Sequence, residues 1–522
     1  MEPFISKHAQ AIIGTLSGFD RLVFRGTLRF LAHCAGMSSY LWTMGVLLKD
    51  FATFAQDVTE RLKEASQALA RRIGRPILYL ASSNTNKERI ARKMAAADGI
   101  KDGLICILTV VEPCRSFEVV RDRASQELRL QPRLRKCLFL YHYQIHPVFG
   151  FMHARIQTWF PFAIQISLNG RSWLARSMDD AGLGYVQRDN CFTWLEDPEQ
   201  AQRLMDEQVQ AAWPKLLNSI ARDLNPLHEE MFRSWPIEYY WSTYQSEWAT
   251  DILFRDTGSL ARLYPKLVHH GLTTFLSPDV MRFLGRHIPA SGNIPPRLEA
   301  EVTSDMKRRP EGVRIKHRLG ENAIKMYDKQ GSVLRVETTI NDVADFKTFR
   351  VPEGKPEAEK SWQRMRKGIA DLPRRAETSQ AANNRYLRAL ASVDDTTPLA
   401  RLTARLCQPL KRHGRPVRAL NPHAPADAKL FEAISRGEFA INGFRNRDLR
   451  RLLFADADPP KPEQRRHAAA ISRQLALLRA HGLIKKVRGT HRYHLSNQGR
   501  VIVTALMTIR NVGTEALAKL AA

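Results

Sequence analysis

Cysteine is scarce in this sequence and never occurs in a closely spaced pair. The 522 residues include six cysteines, and no two of them are separated by only two residues. Zinc ribbons and thiol-redox centres need a Cys-x-x-Cys pair, and small secreted domains need a regular disulfide framework. The spacing therefore argues against these classes and suits a reducing compartment.

Long apolar runs are absent as well. No uninterrupted apolar stretch reaches the roughly 18 residues that a membrane-spanning helix needs. The first residues, Met1-Glu2-Pro3-Phe4, lack the basic segment and apolar run of a signal peptide. These absences predict a cytoplasmic, nucleoid-associated protein with no membrane partner.

Motifs of several common enzymes are missing too. There is no Gly-x4-Gly-Lys-Ser/Thr and no His-Glu-x-x-His, and Gly182-Leu-Gly184 lacks the third glycine of a dinucleotide site. The sequence therefore does not indicate a P-loop ATPase, a zinc protease of this type or a Rossmann enzyme. No cofactor is identified, and a divalent metal enters only if the chain is a nucleic-acid-processing enzyme.

Acidic residues are the minority among the charged ones. The chain has 80 Lys and Arg against 53 Asp and Glu, which gives a formal net charge of +27. Residues 411–500 alone contain 20 Lys and Arg against 7 Asp and Glu. Such a surface attracts polyanions, because each phosphate contact releases condensed counterions. Composition therefore predicts a nucleic-acid partner.

The sequence from Ile471 to Leu495 predicts a helix followed by a basic hairpin. Ile471, Leu475 and Leu478 recur on one helical face, and Gly482 is the residue type that ends a helix in a left-handed cap. Two short strands separated by a three-residue turn follow Gly482. The turn and the strands beside it are rich in Lys, Arg and His.

Two further helices are predicted upstream of this segment, over 426–435 and from Asn446, which would cap the second helix. With them, residues 421–522 resemble the MarR-like winged helix-turn-helix superfamily. The resemblance implies that the partner is duplex DNA, contacted by the third helix and by the hairpin, or wing. The sequence leaves open whether the chain forms a homodimer.

The resemblance also implies which side chains contact DNA. Arg and Gln on the third helix suit bidentate contacts to guanine and adenine edges, and cations of the wing suit phosphates. The alternative is that these side chains form only a solvated face. The predicted DNA-contacting set is Arg465, Arg466, Arg473, Gln474, Lys485, Lys486, Arg488, His491 and Arg492.

The rest of the chain alternates helical and strand patterns, which predicts an α+β fold. Residues 1–197 are predicted as a mixed α/β domain, and 198–350 as a helical region with a three-stranded β-meander. Residues 351–420 carry many charges and few large apolar side chains, which indicates a helical connector. The predicted winged helix, 421–522, completes the order.

Three histidines lie on two neighbouring predicted strands. His142 and His146 alternate on one strand, and His153 follows on the next. If the strands are antiparallel and these side chains share a face, the imidazoles could bind phosphate or a metal. The alternative is a hydrogen-bonded or solvated sheet face, a common place for histidine. The metal hypothesis requires ring nitrogens within about 6 Å of one another.

The segment from Tyr239 to Asp251 interleaves aromatic and polar residues. On a helix, Glu247 and Asp251 would share one face at a four-residue spacing and could hold a divalent cation. The aromatic side chains could instead stack on unpaired bases. The plainer alternative is a core helix whose aromatic residues point inward.

The predicted meander contains the pattern Tyr-Asp-Lys … Leu-Arg-x-Glu, from Tyr327 to Glu337. In this block, residues 313–340 resemble plasmid and phage rolling-circle replication initiators. The resemblance implies a nucleophilic tyrosine and a metal held by carboxylates and histidines. The chain departs from that family, since the strand before the block has no tyrosine and no His-hydrophobic-His pair occurs.

Alternation also predicts how this meander is buried. On its last two strands, polar and apolar residues alternate, so they point to opposite faces of the sheet. A single pairing register can therefore bury the apolar set on one face and hold the polar set together on the other as a structural charge network. The polar set is Lys325, Tyr327, Arg335 and Glu337, and the apolar set is Ile324, Met326, Leu334 and Val336.

Near the N-terminus, Gly18 to Gly26 could be a strand that carries a catalytic aspartate, Asp20, as in RNase H-like transposases. Two-metal chemistry would require other carboxylates, such as Asp189 or Glu196, to converge on it. One aspartate alone does not establish such a site.

Two functions fit these patterns. The first is a DNA-binding protein, regulatory or associated with a mobile element, whose C-terminal domain targets duplex DNA. The second is a metal-dependent DNA-processing enzyme (an endonuclease, a transposase-like protein or a replication initiator) that uses the same domain for targeting. The candidate residues of the second are Glu247, Asp251, Tyr327 and Glu337 for catalysis and His142, His146 and His153 for a metal.

Overall fold

The computed structural model of this chain describes residues 1–275, 277–285, 302–309, 312–344, 346–352, 357–391, 393, 399–412, 414–435, 439, 443–454, 460–487 and 490–511. The predicted wing residue Arg488 and the last part of the predicted C-terminal domain lie outside these ranges. Within them, no helix is both long enough and apolar enough to span a membrane.

An eleven-stranded sheet forms the centre of the described molecule. The strands of the chain are β1 (Ile12–Thr27), β2 (Ile77–Leu80), β3 (Gly103–Arg121), β4 (Leu128–His146), β5 (Gly150–Gln157), β6 (Ile164–Asn169), β7 (Tyr185–Arg188), β8 (Cys191–Leu195), β9 (Tyr240–Phe254), β10 (Val302–Arg309), β11 (Gly312–Leu319), β12 (Asn322–Lys329), β13 (Val333–Ile340), β14 (Lys347–Arg350), β15 (Ser361–Arg364), β16 (Leu410–Arg412), β17 (Arg415–Val417), β18 (Ile484–Lys486) and β19 (Tyr493–Leu495). The large sheet has the order β10-β11-β12-β13-β9-β1-β6-β5-β4-β3-β2, in which β2 and β3 are parallel and the other neighbours are antiparallel. The remaining strands form four separate hairpins.

Helices cover both faces of this sheet and build the C-terminal part of the chain. They are α1 (Glu2–Lys7), α2 (Cys34–Thr43), α3 (Phe51–Ile73), α4 (Lys87–Ala97), α5 (Gly170–Asp180), α6 (Pro198–Gln210), α7 (Trp213–Leu224), α8 (His228–Met231), α9 (Thr257–Thr273), α10 (Ser277–Phe283), α11 (Leu372–Leu390), α12 (Leu399–Ala404), α13 (Pro425–Ser435), α14 (Asn446–Leu453), α15 (Lys461–Ala480) and α16 (Asn497–Asn511). The predicted α+β class is therefore confirmed.

The meander prediction is confirmed by the register of β12 and β13. Met326 lies opposite Val336, and Lys325 lies opposite Glu337, so apolar and charged side chains occupy opposite faces. Ile324, Met326 and Val336 are fully buried in one apolar cluster. We call the face that carries Glu337 the polar face of the sheet and the other its apolar face.

The helix α11 packs on the apolar face and is part of the core. Its Tyr386, Leu387 and Leu390 are fully buried. Asn383 fastens it to the sheet, because its amide donates to Thr250 Oγ1 at 3.1 Å and accepts from a threonine hydroxyl of β13 at 2.7 Å. The region predicted as a connector, 351–420, thus contributes a core helix, since its few large apolar residues are concentrated on one helical face.

The helices α5 and α6 cover part of the polar face, where β1, β9 and β13 run side by side. Glycine permits this close approach. A Cβ at Gly18 would lie 2.2 Å from Met205 Cε, and a Cβ at Gly170 would lie 1.9 Å from the Phe19 carbonyl oxygen. These two helices leave the other end of β1 open toward solvent, where Arg21 is exposed.

The predicted regions 1–197 and 198–350 share the large sheet, since β1 pairs with β6 on one side and with β9 on the other. The segment predicted as a helix from Tyr239 to Asp251 lies in β9, so that prediction is wrong. Its first part alternates between buried and more exposed positions, and every residue from Trp248 to Phe254 is buried. Neighbouring strands on both sides complete its hydrogen bonds, and its aromatic and β-branched residues suit such a strand.

The C-terminal helices form a separate apolar core. Leu430, Phe431, Leu449, Ile471 and Leu478 from α13, α14 and α15 are fully buried in it. The hairpin β18–β19 follows α15 directly, and an isolated bridge between Phe444 and Tyr493 joins the start of α14 to this hairpin. In the described residues, α13, α14, α15 and the hairpin β18–β19 therefore follow one another in the predicted order, and α16 comes after them.

Candidate functional site

The polar face carries a chain of buried ion pairs. Lys325 Nζ donates to Glu337 Oε1 at 2.5 Å and to Glu247 Oε1 at 2.9 Å. Arg335 donates to both carboxylate oxygens of Asp251, at 2.6 and 2.9 Å. The predicted charge network is confirmed for Lys325 and Glu337, whereas Arg335 pairs with Asp251 instead.

A helix contributes one more cation to this network. Arg171 of α5 is fully buried and donates to Asp251 Oδ2 at 3.0 Å. Buried charges are tolerated when they are paired and hydrogen-bonded. Burial alone would raise the pKa of Asp251, but Arg335 and Arg171 hold it below its ordinary value. Asp251 is therefore a charged structural anchor.

Asp20 joins the network through an irregularity in β1. The register of β1 and β9 moves by one residue between Phe19, which faces Trp248, and Arg21, which faces Glu247. Asp20 is the additional residue of this β-bulge. A bulge redirects side chains and often occurs beside functional sites.

The surroundings of Asp20 differ from those of Asp251. Its Oδ1 lies 3.3 Å from Arg335 Nη1, and its carboxylate accepts hydrogen bonds of 3.1 and 3.3 Å from the Asn190 amide. Asp20 is 4% exposed, and burial raises its pKa although Arg335 opposes this. Asp20 is consequently easier to protonate than Asp251.

Three carboxylates from three adjacent strands converge here. One oxygen each of Asp20, Glu247 and Glu337 lies within 4.8 Å of the others. Two oxygens that share an octahedral Mg²⁺ lie at most about 4.2 Å apart, because each bond is about 2.1 Å long. A small contraction would therefore let the cluster hold a divalent cation. Lys325 Nζ occupies two of the three carboxylates, so such a cation would have to displace it from at least one.

The ion pairs of this network join four carboxylates to three cations. The carboxylates are Asp20, Glu247, Asp251 and Glu337, and the cations are Arg171, Lys325 and Arg335. A fourth buried cation, Lys329, reaches the network through Asn190, whose side-chain oxygen accepts a hydrogen bond of 3.0 Å from Lys329 Nζ.

Glu247 and Asp251 were predicted to share a cation on one face of a helix. They do share a face, but as residues of a strand they are about 13 Å apart along the chain. Glu247 belongs to the carboxylate cluster, while Asp251 is held by two arginines. The proposed pair site is therefore wrong.

A cavity of about 150 Å³ opens beside the carboxylate cluster. Asp20 and Glu247 line it, together with Arg21 from β1 and Arg92 from α4. His153 is also in its wall, and burial, followed by the nearby arginines, lowers its pKa to about 3. The imidazole is neutral at physiological pH, so the wall offers cations, carboxylates and a neutral donor or acceptor.

The predicted histidine cluster does not form. The β4–β5 register sets Tyr143 opposite His153 and His142 opposite Ala154, so His142 and His153 point to opposite faces. His142 lies 3.4 Å from a serine hydroxyl of α3, and His146 Nδ1 accepts a backbone hydrogen bond of 3.1 Å. The alternation of side chains along each strand was predicted correctly, but the sequence does not determine the register that pairs β4 with β5. Because this register separates His142 from His153, the metal hypothesis for His142, His146 and His153 is wrong.

Tyr327 lies at the margin of the network. It is 8% exposed and faces Arg335 across β12 and β13. Burial raises the pKa of its phenol, which disfavours the phenolate that would attack phosphorus. This placement favours a structural role for Tyr327.

The carboxylates first considered as partners of Asp20 lie elsewhere. Glu196 accepts a hydrogen bond of 2.8 Å from the Gly184 backbone, and Asp189 occupies the turn between β7 and β8. Its neighbour Asn190, which the sequence did not single out, contacts Asp20 instead. Arg171 was also missed, because nothing in its local pattern distinguishes it from a surface arginine of a helix.

The C-terminal cations are placed largely as predicted on the surface. The helix and hairpin residues that are exposed are Arg465, Arg466, Arg473, Lys485, Lys486 and His491. Gln474 and Arg492 are half-buried, and the charges around Arg492 include Arg445 and Asp448. Asn446 does not cap its helix; its amide donates to Ala468 O at 2.8 Å and so joins α14 to α15.

Two sites therefore stand out in the described residues: the carboxylate cluster on the polar face, and the exposed cations of α15 and its hairpin. Both lie on elements that pack against an apolar core. The chain was compared with family models, with curated proteins and with solved structures, and none of them matches it.

Proposed function

We propose that this chain is a DNA-binding protein that targets duplex DNA through a winged helix within residues 421–522. The observation that carries the proposal is the row of exposed arginines on α15, directly followed by a hairpin with exposed cations. This order of elements is typical of domains that place the third helix in the major groove. The excess positive charge of this region supports the same partner.

The geometry of α15 suits such a role. Arg466 and Arg473 are seven residues apart, which brings them within about 20° of one helical face, and Arg465 lies beside them. The helix has 20 residues and is about 30 Å long. Lys485 and Lys486 are exposed on the first strand of the hairpin, where they can contact phosphates of the flanking backbone.

Fluorescence anisotropy of the full chain with a labelled duplex, at several salt concentrations, tests this proposal. Replacement of Arg466 and Arg473 by alanine should weaken duplex binding and blunt its sequence preference, since these side chains suit base edges. Replacement of Lys485 and Lys486 by alanine should weaken binding to all duplexes and reduce the salt slope by about 1.8, since each phosphate contact contributes about 0.9.

A matched variant, Arg71→Ala with Arg72→Ala, removes two exposed charges from α3 and should change neither affinity nor salt slope much. Equal losses in all three variants, or no duplex binding at low salt, would reject the proposal.

A second function, a metal-dependent DNA-processing enzyme, is favoured by the convergence of Asp20, Glu247 and Glu337. Carboxylate oxygens are the ligands of divalent cations in phosphodiester chemistry. The adjoining cavity has Arg21 and Arg92 in its wall, which suits a phosphate group. In this function the C-terminal domain brings the chain to DNA, and the cluster acts on the backbone.

Cleavage of labelled single-stranded and double-stranded DNA with Mg²⁺ or Mn²⁺ tests the second function. Asp20→Asn should abolish metal-dependent cleavage while duplex binding through the C-terminal residues persists. Glu196→Gln removes a carboxylate outside the cluster and should retain cleavage. If the wild-type chain cleaves neither substrate, or if Asp20→Asn cleaves normally, this second function fails.

A further inference from the structure

Exposed aromatic and cationic side chains lie next to each other on β1 and β9. Tyr240 and Tyr244 are 40% and 50% exposed, and Arg21 and Arg25 are exposed on the neighbouring strand. The register sets Thr27 opposite Tyr240 and Arg25 opposite Ser242, so Arg25 and Tyr240 lie on one face of the sheet. Arg21, four residues before Arg25, lies opposite Glu247, so this is the polar face. We call Arg21, Arg25, Tyr240 and Tyr244 the β1–β9 track.

A second bulge directs Tyr244 outward. Val23 faces Gln245 and Phe24 faces Thr243, which leaves Tyr244 as the additional residue of β9. Lys367 Nζ lies 5.9 Å from the centre of its ring. The ring is thus available to a flat ligand, with a cation beside it.

Tyr240 has a similar environment. The Arg29 guanidinium carbon lies 4.0 Å from the centre of the Tyr240 ring, and this leaves the tyrosine 40% exposed. Arginine adds its own cation–π contacts to bases stacked on neighbouring aromatic rings and attracts their phosphates. Both tyrosines therefore combine a stacking surface with a nearby positive charge.

Arg25 of the track forms no ion pair with a carboxylate in the described part of the chain. Arg155, nearby on β5, is paired with Glu112 at 2.7 Å. Arg25 is exposed on β1, and burial, followed by repulsion from Arg155 and Arg115, lowers its pKa. A bound anion would relieve this repulsion. At the other end of the track, Arg21 lines the cavity beside the carboxylate cluster.

We propose that the β1–β9 track binds single-stranded nucleic acid. Unpaired bases stack on Tyr240 and Tyr244, and the phosphates between them contact Arg25 and Arg21. A duplex does not fit this surface, because its bases are already stacked on one another and cannot lie against the two rings. The track lies on the large sheet and is separate from the C-terminal cations, so the proposal does not rest on duplex binding or on cleavage.

Binding of a labelled oligothymidylate of about 15 nucleotides to the full chain, with EDTA present, tests this inference. Tyr240→Ala with Tyr244→Ala should weaken single-strand binding at least about 10-fold, since each stacked base contributes about 1–3 kcal/mol. Duplex binding by the same variant should stay unchanged. Tyr79→Ala removes a tyrosine that is 63% exposed on β2, and it should leave both affinities at the wild-type level.

Photo-cross-linking of a 5-iodouridine oligonucleotide to the wild-type chain provides a measurement that does not depend on a folded variant. Adducts are expected on peptides that contain residues 240–244. Adducts found only elsewhere, or a double tyrosine variant with wild-type single-strand affinity, would overturn the inference. The variant that lacks Arg466 and Arg473 separates the two proposals, because it should lose duplex binding and keep single-strand binding.

Discussion

Replacement of Arg335 by methionine would remove the guanidinium that joins Asp20 to Asp251. Arg335 is fully buried and donates to Asp251 at 2.6 and 2.9 Å and to the Asn190 carbonyl at 2.7 Å. Removal of one partner from a buried ion pair costs about 3–5 kcal/mol, because the other charge remains buried without its partner. Asp251 keeps its bond to Arg171, so we expect a loss of about 3 kcal/mol.

The loss should depend on pH in a defined direction. Burial raises the pKa of Asp20, and Arg335 is the first cation that opposes this rise. Without Arg335 the pKa of Asp20 in the folded chain would be higher still. If folding raises the pKa of a carboxyl, the protonated carboxyl favours the folded state below its unfolded pKa of about 3.9. This contribution is lost as the pH rises through the folded pKa, because the folded chain must then bury the charged form. The variant should therefore be less impaired at about pH 5 than at about pH 8.

Urea unfolding followed by tryptophan fluorescence at these two pH values measures the effect. Arg375→Met is the matched control, because Arg375 is also buried but donates to the Ser246 hydroxyl and to the carbonyls of Ile340 and Thr243. It should lose stability with little change between the two pH values. An Arg335→Met loss that is the same at both pH values, or larger at the lower one, would refute this account of the network.

Two further predictions concern the cluster and the packing around it. Lys325→Met frees Glu247 and Glu337 from their shared ammonium, so Mn²⁺ should raise the thermal midpoint of this variant more than that of the wild type. Mn²⁺ at 100 times its Kd would stabilise the folded variant by about 2.7 kcal/mol. Equal shifts of the two midpoints in a thermal scan would speak against a cation site. Gly170→Ala would place a Cβ 1.9 Å from a backbone carbonyl of β1 and should cost about 1–3 kcal/mol in urea unfolding. Gly258→Ala should cost much less, because its Cβ would lie 3.1 Å from Asp256 Oδ1 and clear of backbone atoms.

Local patterns predicted several elements well. The helices expected over 426–435 and from Asn446 are α13 and α14, although Arg445 rather than Asn446 is the N-cap residue of the second. The meander was predicted because opposite parity of charged and apolar residues permits only one register. In contrast, the segment that became β9 carries four-residue spacings compatible with both a helix and a strand. Its pairing with β1 and β13 decides between them, and a local pattern does not contain that pairing.

The site was harder to predict than the fold. Asp20, Glu247 and Glu337 come from three distant parts of the chain, and each was noticed for a separate reason. Their convergence depends on the strand order β13-β9-β1, which is a property of the whole sheet. It depends as well on a bulge of a single residue in β1. Neither the order nor the bulge leaves a periodic signal in the sequence.

The central place of β1 in the sheet has a consequence for synthesis on the ribosome. β1 ends at Thr27, whereas its partner β9 begins at Tyr240. At about 5–20 residues per second, β1 emerges about 10–40 s before β9. During that interval its edge could pair with other nascent chains, and charged side chains and bulges are the features that hinder such pairing. We therefore expect Arg21 and Arg25 to hinder such pairing of the nascent strand as well, and their replacement to lower the yield of soluble protein even where the folded chain tolerates it.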